Sequence, residues 1–132
     1  MSRKTLLITL LIALMTACAP QATPTAAPAA TDITLTDGLG REIKLAAPAQ
    51  HVVSLAPSNT EILFAVGAGS QVVGRDEFSD YPDEAASIES VGGSMGQYSV
   101  EAIVALKPDL VLAAEINTPE LVKQLEDLGL TV

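Results

Sequence analysis

The chain has 132 residues and a formal net charge of −9, from 16 acidic against 7 basic side chains, with 48% of residues hydrophobic and no Trp. That length allows one domain rather than two, and so acidic a surface repels phosphate backbones, which argues against nucleic-acid binding. The single Cys rules out an intrachain disulfide and a Cys-x-x-Cys motif, and the single His rules out a multi-histidine zinc site on this chain alone.

Arg3 and Lys4 give a basic start, and Leu6 to Met15 is then apolar except for Thr9. The run is shorter than the roughly 20 residues that span a bilayer. It fits the apolar centre of a secretory signal, about 7–15 residues. Met15-Thr16-Ala17-Cys18 follows, with small residues before the lone Cys. This resembles a bacterial lipobox, with Met15 where Leu is usual. The resemblance implies cleavage before Cys18 and its lipidation, so that acyl chains hold the protein on a membrane face. Ala19 to Thr31 consists of Ala, Pro and Thr with Gln21, and has no charge and no large apolar side chain. Such a segment cannot bury enough surface to offset ordering entropy and reads as a tether. The expected organisation is a lipoprotein signal peptide over 1–17, the lipidated Cys and tether over 18–31, and a folded lobe over 32–132.

Ile33 to Thr36 alternates apolar and polar side chains, Asp37-Gly38-Leu39-Gly40 is turn chemistry, and Arg41 to Leu45 alternates again, which predicts a hairpin. His51 to Leu55 reads as a buried strand. Ser58-Asn59-Thr60-Glu61 has the spacing of a capping box, opening a helix that stops at Gly67. Gln71 to Gly74 predicts a strand, Pro82 to about Ala86 a short helix, and Ile88 to Val91 a weak third strand. Ser99 caps a helix through about Leu106, which Pro108 prevents from continuing. Leu110 to Ala113 is a buried strand, and Thr118 with Pro119 opens a helix ending at Gly129. Leu130 to Val132 begins another strand, and the sequence is expected to be the front part of a longer chain.

Strands alternating with helices imply an α/β fold: a Rossmann-like lobe with a mostly parallel sheet flanked by helices, preceded by a β-hairpin. Ligands bind such sheets beyond the carboxyl ends of the strands. The loops expected there are Ala56 to Asn59, Arg75 to Tyr81, Ser94 to Tyr98 and Ala114 to Asn117.

No catalytic constellation stands out. Gly67-Ala68-Gly69-Ser70-Gln71-Val72 lacks the third glycine of a dinucleotide fingerprint and leads from helix to strand, so it is a helix stop and turn. Ser58 lacks the surroundings of a nucleophile elbow. His51 reads as a structural imidazole near the sheet edge. Asp76, Glu77, Asp80, Asp83 and Glu84 read as solvated charges in a polar loop. The aromatics are more telling. Phe64 belongs to a helix, whereas Phe78, Tyr81 and Tyr98 fall in mouth loops, where stiff rings supply contact area at low entropic cost. They either line a cleft or pack the loops onto the sheet, and Tyr81, before Pro82, suits the second role best. Arg75 either holds a carboxylate or oxyanion in bidentate fashion or pairs with Asp76, Glu77 or Asp80.

Five runs occur together: Thr36 to Arg41 (TDGLGR), Val52 to Leu63 (VVSLAPSNTEIL), Val73-Gly74-Arg75, Asp80-Tyr81-Pro82, and Val100 to Val111 (VEAIVALKPDLV). In order and spacing, from about Ile33 to Val132, they resemble the iron-siderophore/vitamin B12 class of periplasmic solute-binding proteins of ABC importers. That resemblance implies two Rossmann-like lobes joined by a long helix with ligand between them, of which this sequence supplies only the first. It implies that Pro57, Ser58, Asn59 and Phe78 line the cleft and that Glu101 docks on the importer's permease subunit. The cobalamin binder of the family has Trp at Ala114 and around Ser94-Met95. Their absence here counts against cobalamin and favours an iron-siderophore, haem or another bulky metal chelate, with a corrinoid kept as a further candidate.

The expected function is therefore an extracytoplasmic, membrane-anchored substrate-binding lipoprotein that captures a metal chelate for an ABC importer. It has no enzymatic activity, no resident metal and no cofactor. Its ligand-binding residues are Pro57, Ser58, Asn59, Arg75, Phe78, Tyr81, Met95 and Tyr98. The alternatives are a sensory or structural lipoprotein using the same lobe for interaction, a truncated fragment without function, or a doubly wound enzyme, for which the phosphate loop is missing.

Overall fold

The computed structural model describes residues 32–132, so the expected signal segment, Cys18 and the tether lie outside the described residues. Strands β1 (Ile33–Thr36) and β2 (Glu42–Leu45) form the expected antiparallel hairpin, with Ile33 opposite Leu45 and Thr36 opposite Glu42. Asp37 organises its turn. One carboxylate oxygen accepts the amides of Leu39 and Arg41, while the other pairs with the Arg41 guanidinium at 2.6 Å. Arg41 then reaches Glu126 and the carbonyl of Val132, tying the hairpin to the remainder of the lobe.

A second sheet holds three parallel strands in the order β4 (Val72–Arg75), β3 (Val52–Ser54), β5 (Leu110–Leu112). The central strand β3 is buried throughout, as a parallel strand covered on both faces is. Side chains alternate across a strand. Val53 and Leu55 therefore enter one cluster, with Val91, Val111, Ile103 of helix α2 (Val100–Ala105) and Leu125 of helix α3 (Pro119–Asp127). Ser54 points the other way and meets Thr60 of helix α1 (Pro57–Ala65). The sheet is thus sandwiched, which is the expected α/β architecture. Ser99 and Thr118 cap α2 and α3 as their positions predict, accepting the amides of Ala102 and Leu121.

Four expectations are corrected. Helix α1 starts at Pro57 rather than after Ser58. Its N-cap is Ala56 in extended conformation with no side-chain cap, so the capping box does not form. Proline's fixed φ favours the first helical position and moves the start upstream. Strand β3 begins at Val52, leaving His51 outside it, because the Asp109 carboxylate takes the amides of Gln50 and His51. The strand expected over 88–91 reduces to a single parallel bridge between Arg75 and Ser90. The chain leaves a 3-10 turn at Ser87 and swings away at Gly92 (φ +91°), which leaves little room for more. Residues 130–132 form no regular strand, although the Thr131 carbonyl accepts the Val111 amide at 2.8 Å along the outer side of β5.

The Asp109 clasp sits at the amino ends of β3 and β5, away from the mouth. Hydrogen bonds from the Gln50 and His51 amides hold its carboxyl below the usual range. That contribution to stability is present above the unfolded carboxyl value of about 3.9 and is lost as pH falls through the lower folded value. The Asp109→Ala variant is expected to be less stable than wild type at neutral pH, with the two unfolding midpoints converging in acid. A difference that stays constant as the pH falls well below about 3.9 contradicts this assignment.

Candidate functional site

The carboxyl ends of the three parallel strands open on one side of the lobe, and a buried polar network fixes what stands there. Its hub is the Leu55 carbonyl, just past β3. The carbonyl accepts the Tyr98 hydroxyl at 2.9 Å and the Asn117 side-chain amide at 3.1 Å. Asn117 also donates to the Tyr98 oxygen and accepts the Ala114 amide at 2.7 Å. One buried side chain thereby joins the end of β3, the 92–98 loop and the turn after β5. Asn59, on the first turns of α1, donates to the carbonyls of Leu112 and Ala113.

A second branch lies on the α1 side. Thr60 is 2.8 Å from the Ser54 hydroxyl and 2.9 Å from that of Ser79, and Ser79 donates to Asp76. The Asp76 amide donates to the Ser54 carbonyl, and the Glu77 amide to that of Gly92. Asp76 is 2% exposed. This corrects the reading of the acidic run as solvated throughout: Glu77, Asp80, Asp83 and Glu84 are exposed, whereas Asp76 turns inward because Ser79 and the Phe78 amide satisfy its oxygens.

The residues singled out by sequence divide into two sets. Asn59 and Tyr98 are committed to the scaffold. So is Arg75, whose three guanidinium nitrogens donate to the carbonyls of Ala85, Asp76 and Ala86. It pairs with neither Asp76, Glu77 nor Asp80, and it props the 3-10 turn over Asp83–Ser87 rather than offering a free anion holder. Phe78, Tyr81 and Met95 remain presented, at 59%, 66% and 91% exposure. Tyr81 is thus exposed rather than packed, and it borders a shallow depression on the flank of α1 with Glu61, Phe64 and Ala65. Pro57 is half-buried and Ser58 exposed at the start of α1. Met95 rides at the tip of a tight loop in which Gly92, Gly93 and Gly96 all have positive φ. Glu101 is exposed in the first turn of α2 and has no salt-bridge partner among the described residues.

Sequence reasoning missed Asn117, Thr60, Ser54 and Ser79, which hold the loops, and Ile116, an exposed aliphatic in the turn after β5. The available signals were the Ser54 hydroxyl embedded in an apolar run and an Asn directly before a helix cap, whereas Thr60 and Ser79 carry no comparable signal. The whole can present large apolar contacts on stiff loops without a reacting group at their centre. Among the described residues no group of three or more His, Cys, Asp or Glu is placed to hold a metal ion.

Burial raises the Tyr98 hydroxyl pKa. The bond from Asn117 opposes this and the Asp76 carboxylate adds to it. The neutral phenol is therefore favoured by folding. Its contribution is fully present below the unfolded value of about 10 and is lost as pH rises through the folded value. Tyr98→Phe is expected to cost about 1 kcal/mol at neutral pH, and the difference from wild type should shrink above about pH 10. Equal differences at about pH 8 and about pH 11 contradict the assignment.

Comparison with known proteins places this arrangement. A family described as Periplasmic binding protein matches residues 52–126. The chain is similar to YvrC of Bacillus subtilis, named an ABC transporter substrate-binding lipoprotein. The two are 40% identical over 103 residues, which is 76% of this chain and 32% of that protein. Its structure resembles the periplasmic vitamin B12 binding protein BtuF of Vibrio cholerae (TM-score 0.60, 41% identity, 64% of this chain and 33% of that one). It also resembles a periplasmic heme binding protein from Pseudomonas aeruginosa (TM-score 0.59, 35% identity, 64% of this chain and 30% of that one). The chain spans about a third of the length of these relatives.

Proposed function

Because the chain belongs to the periplasmic binding protein family, we propose that it forms the first lobe of an extracytoplasmic substrate-binding protein that delivers a bulky metal chelate to an ABC importer. Its work is binding, not catalysis. The observation that carries this reading is the pair of exposed apolar side chains Phe78 and Met95, on loops held at the carboxyl ends of the strands by a buried hydrogen-bond network, with Tyr81 exposed nearby on the flank of α1. Rings and a thioether on stiff loops suit the macrocycle faces of a haem or a corrinoid, and give a bulky ferric siderophore van der Waals contact around its chelate. Relatives named for vitamin B12 and heme support this ligand class. Ser58 and Pro57 border the same surface. Asn59, Arg75 and Tyr98 serve it by fixing the loops. A second lobe facing this one would enclose the ligand, since a single wall cannot bury it. Glu101 stands exposed where an arginine of the permease subunit can reach it. Lipidation of Cys18 would tie the protein to the membrane by its acyl chains.

The test is calorimetric titration of the protein, with whatever its gene encodes beyond Val132, against cyanocobalamin, haemin and a ferric hydroxamate. One of them is expected to bind at ~1 μM or tighter, and Phe78→Ala combined with Met95→Ala should weaken that binding at least about tenfold. Absence of binding to all three, or affinity indifferent to the double substitution, overturns the reading.

A further inference from the structure

Three segments of the mouth converge on one buried carboxylate. Asp76 is the first residue past β4, and each of its oxygens has a task. One accepts the Phe78 amide at 2.9 Å, and the other accepts the Ser79 hydroxyl in a short bond. The Ser79 proton is thus assigned. Ser79 therefore accepts from Thr60 at 2.9 Å, and with the Thr60 proton placed there the 2.8 Å contact between Ser54 and Thr60 takes the Ser54 proton. The result is a directed chain of hydroxyls running from α1 to the carboxylate, and only an acceptor at position 76 terminates it without leaving a buried donor unpaired. The backbone of the same stretch is tied on both sides, by Asp76 to the Ser54 carbonyl and by Glu77 to the Gly92 carbonyl at 2.8 Å. Gly93 approaches so closely that an added Cβ would stand 3.2 Å from the Asp76 Cβ and 3.2 Å from the Tyr98 ring.

We propose that Asp76 is the positioning residue of the binding mouth: its carboxylate fixes the 76–81 loop so that Phe78, two residues on, faces a ligand in one pose, although Asp76 itself touches none. The inference rests on the binding reading above and adds a determinant of affinity that lies beneath the surface. It follows from the contrast between the two residues. Phe78 is 59% exposed, while its amide is bonded to a buried carboxylate. Pre-organising a loop reduces the entropy lost on binding.

The experiment compares Asp76→Ala, Asp76→Asn and, as a control at the opposite end of the sheet, Asp109→Ala. Two quantities are read in conditions where circular dichroism shows each to be folded: hydrogen exchange of the Phe78 and Ser79 amides, and affinity for cyanocobalamin and haemin. In Asp76→Ala, exchange at Phe78 should quicken by about tenfold or more, and affinity should fall by a similar factor. Asp76→Asn, which keeps the acceptor for the Phe78 amide, should recover most of both. Asp109→Ala should change neither. Unchanged protection of Phe78 in Asp76→Ala overturns the proposal, as does lost protection with unaltered affinity, or an equal loss in Asp109→Ala. If Asp76→Ala does not fold, Ser79→Ala carries the test: the carboxylate then loses one of its two anchors, so exchange at Phe78 should quicken and affinity fall, and unchanged protection with unchanged affinity overturns the proposal. Failure of the wild type to bind either probe counts against the binding reading alone, and the exchange result then decides the role of Asp76.

Discussion

Asn117→Ala is expected to destabilise the lobe by about 3 kcal/mol. The side chain is 7% exposed and makes three hydrogen bonds that alanine cannot replace. The Ala114 amide loses its acceptor, the Tyr98 oxygen loses a donor, and the Leu55 carbonyl keeps only Tyr98. Each lost bond contributes about 1 kcal/mol net, and a donor stranded without water costs more. A second readout separates this from a general loss of stability. The Asn117 bond lowers the pKa of the Tyr98 hydroxyl, so in the variant Tyr98 should ionise at higher pH than in wild type. A urea midpoint corresponding to less than about 1 kcal/mol of loss, or a Tyr98 titration that does not move upward, contradicts the network as described.

Gly92→Ala is expected to have an effect of similar size for a different reason. With φ at +91°, the position disfavours any L side chain, and an added Cβ would meet the Gln97 carbonyl oxygen at 2.8 Å. That oxygen cannot withdraw easily, because it accepts the Gly93 amide at 2.7 Å and so closes the loop carrying Met95. Backbone strain of about 1–3 kcal/mol and overpacking of about 1–3 kcal/mol combine to about 3 kcal/mol. Gly96 provides the contrast. Its φ is +75°, yet a Cβ there meets nothing within 4 Å, so Gly96→Ala should cost only about 1 kcal/mol. Equal unfolding midpoints for the two variants would show that the close approach at Gly92 has no energetic weight.

What sequence reveals and what it hides follow from the range of the interactions. Elements governed by local signals are legible: the turn at Asp37 to Gly40, the caps Ser99 and Thr118, Pro119 at the head of α3, and the apolar runs of β3 and β5. Each depends on neighbours a few residues away. The start of α1 fails because two local signals compete. The spacing of Ser58 and Glu61 favours a later start and Pro57 an earlier one, and the fixed φ of Pro57 at the first helical position prevails. The site is less legible still. That Asp76 differs from the four carboxylates around it rests on a contact with Ser79 and the way the chain folds over Gly93. Arg75 was open to two readings, an anion holder or an ion pair, and takes neither, because the 3-10 turn over Asp83–Ser87 places main-chain carbonyls within its reach. The aromatic loops were found at the correct end of the sheet, but which rings stay exposed depends on long-range bonds such as that from Tyr98 to Leu55, 43 positions apart.

The claim on which the account depends is that ligand meets the lobe at the carboxyl ends of its parallel strands. Amide hydrogen exchange along the chain, with and without whichever of cyanocobalamin, haemin or ferric hydroxamate binds, tests it most directly. The account predicts added protection at residues 58–59, 78–81, 93–98 and 114–116, and no change at Gln50, His51 and Asp109 on the far side. Protection confined to that far side or to the β1–β2 hairpin, with the four mouth segments unaltered, would contradict it.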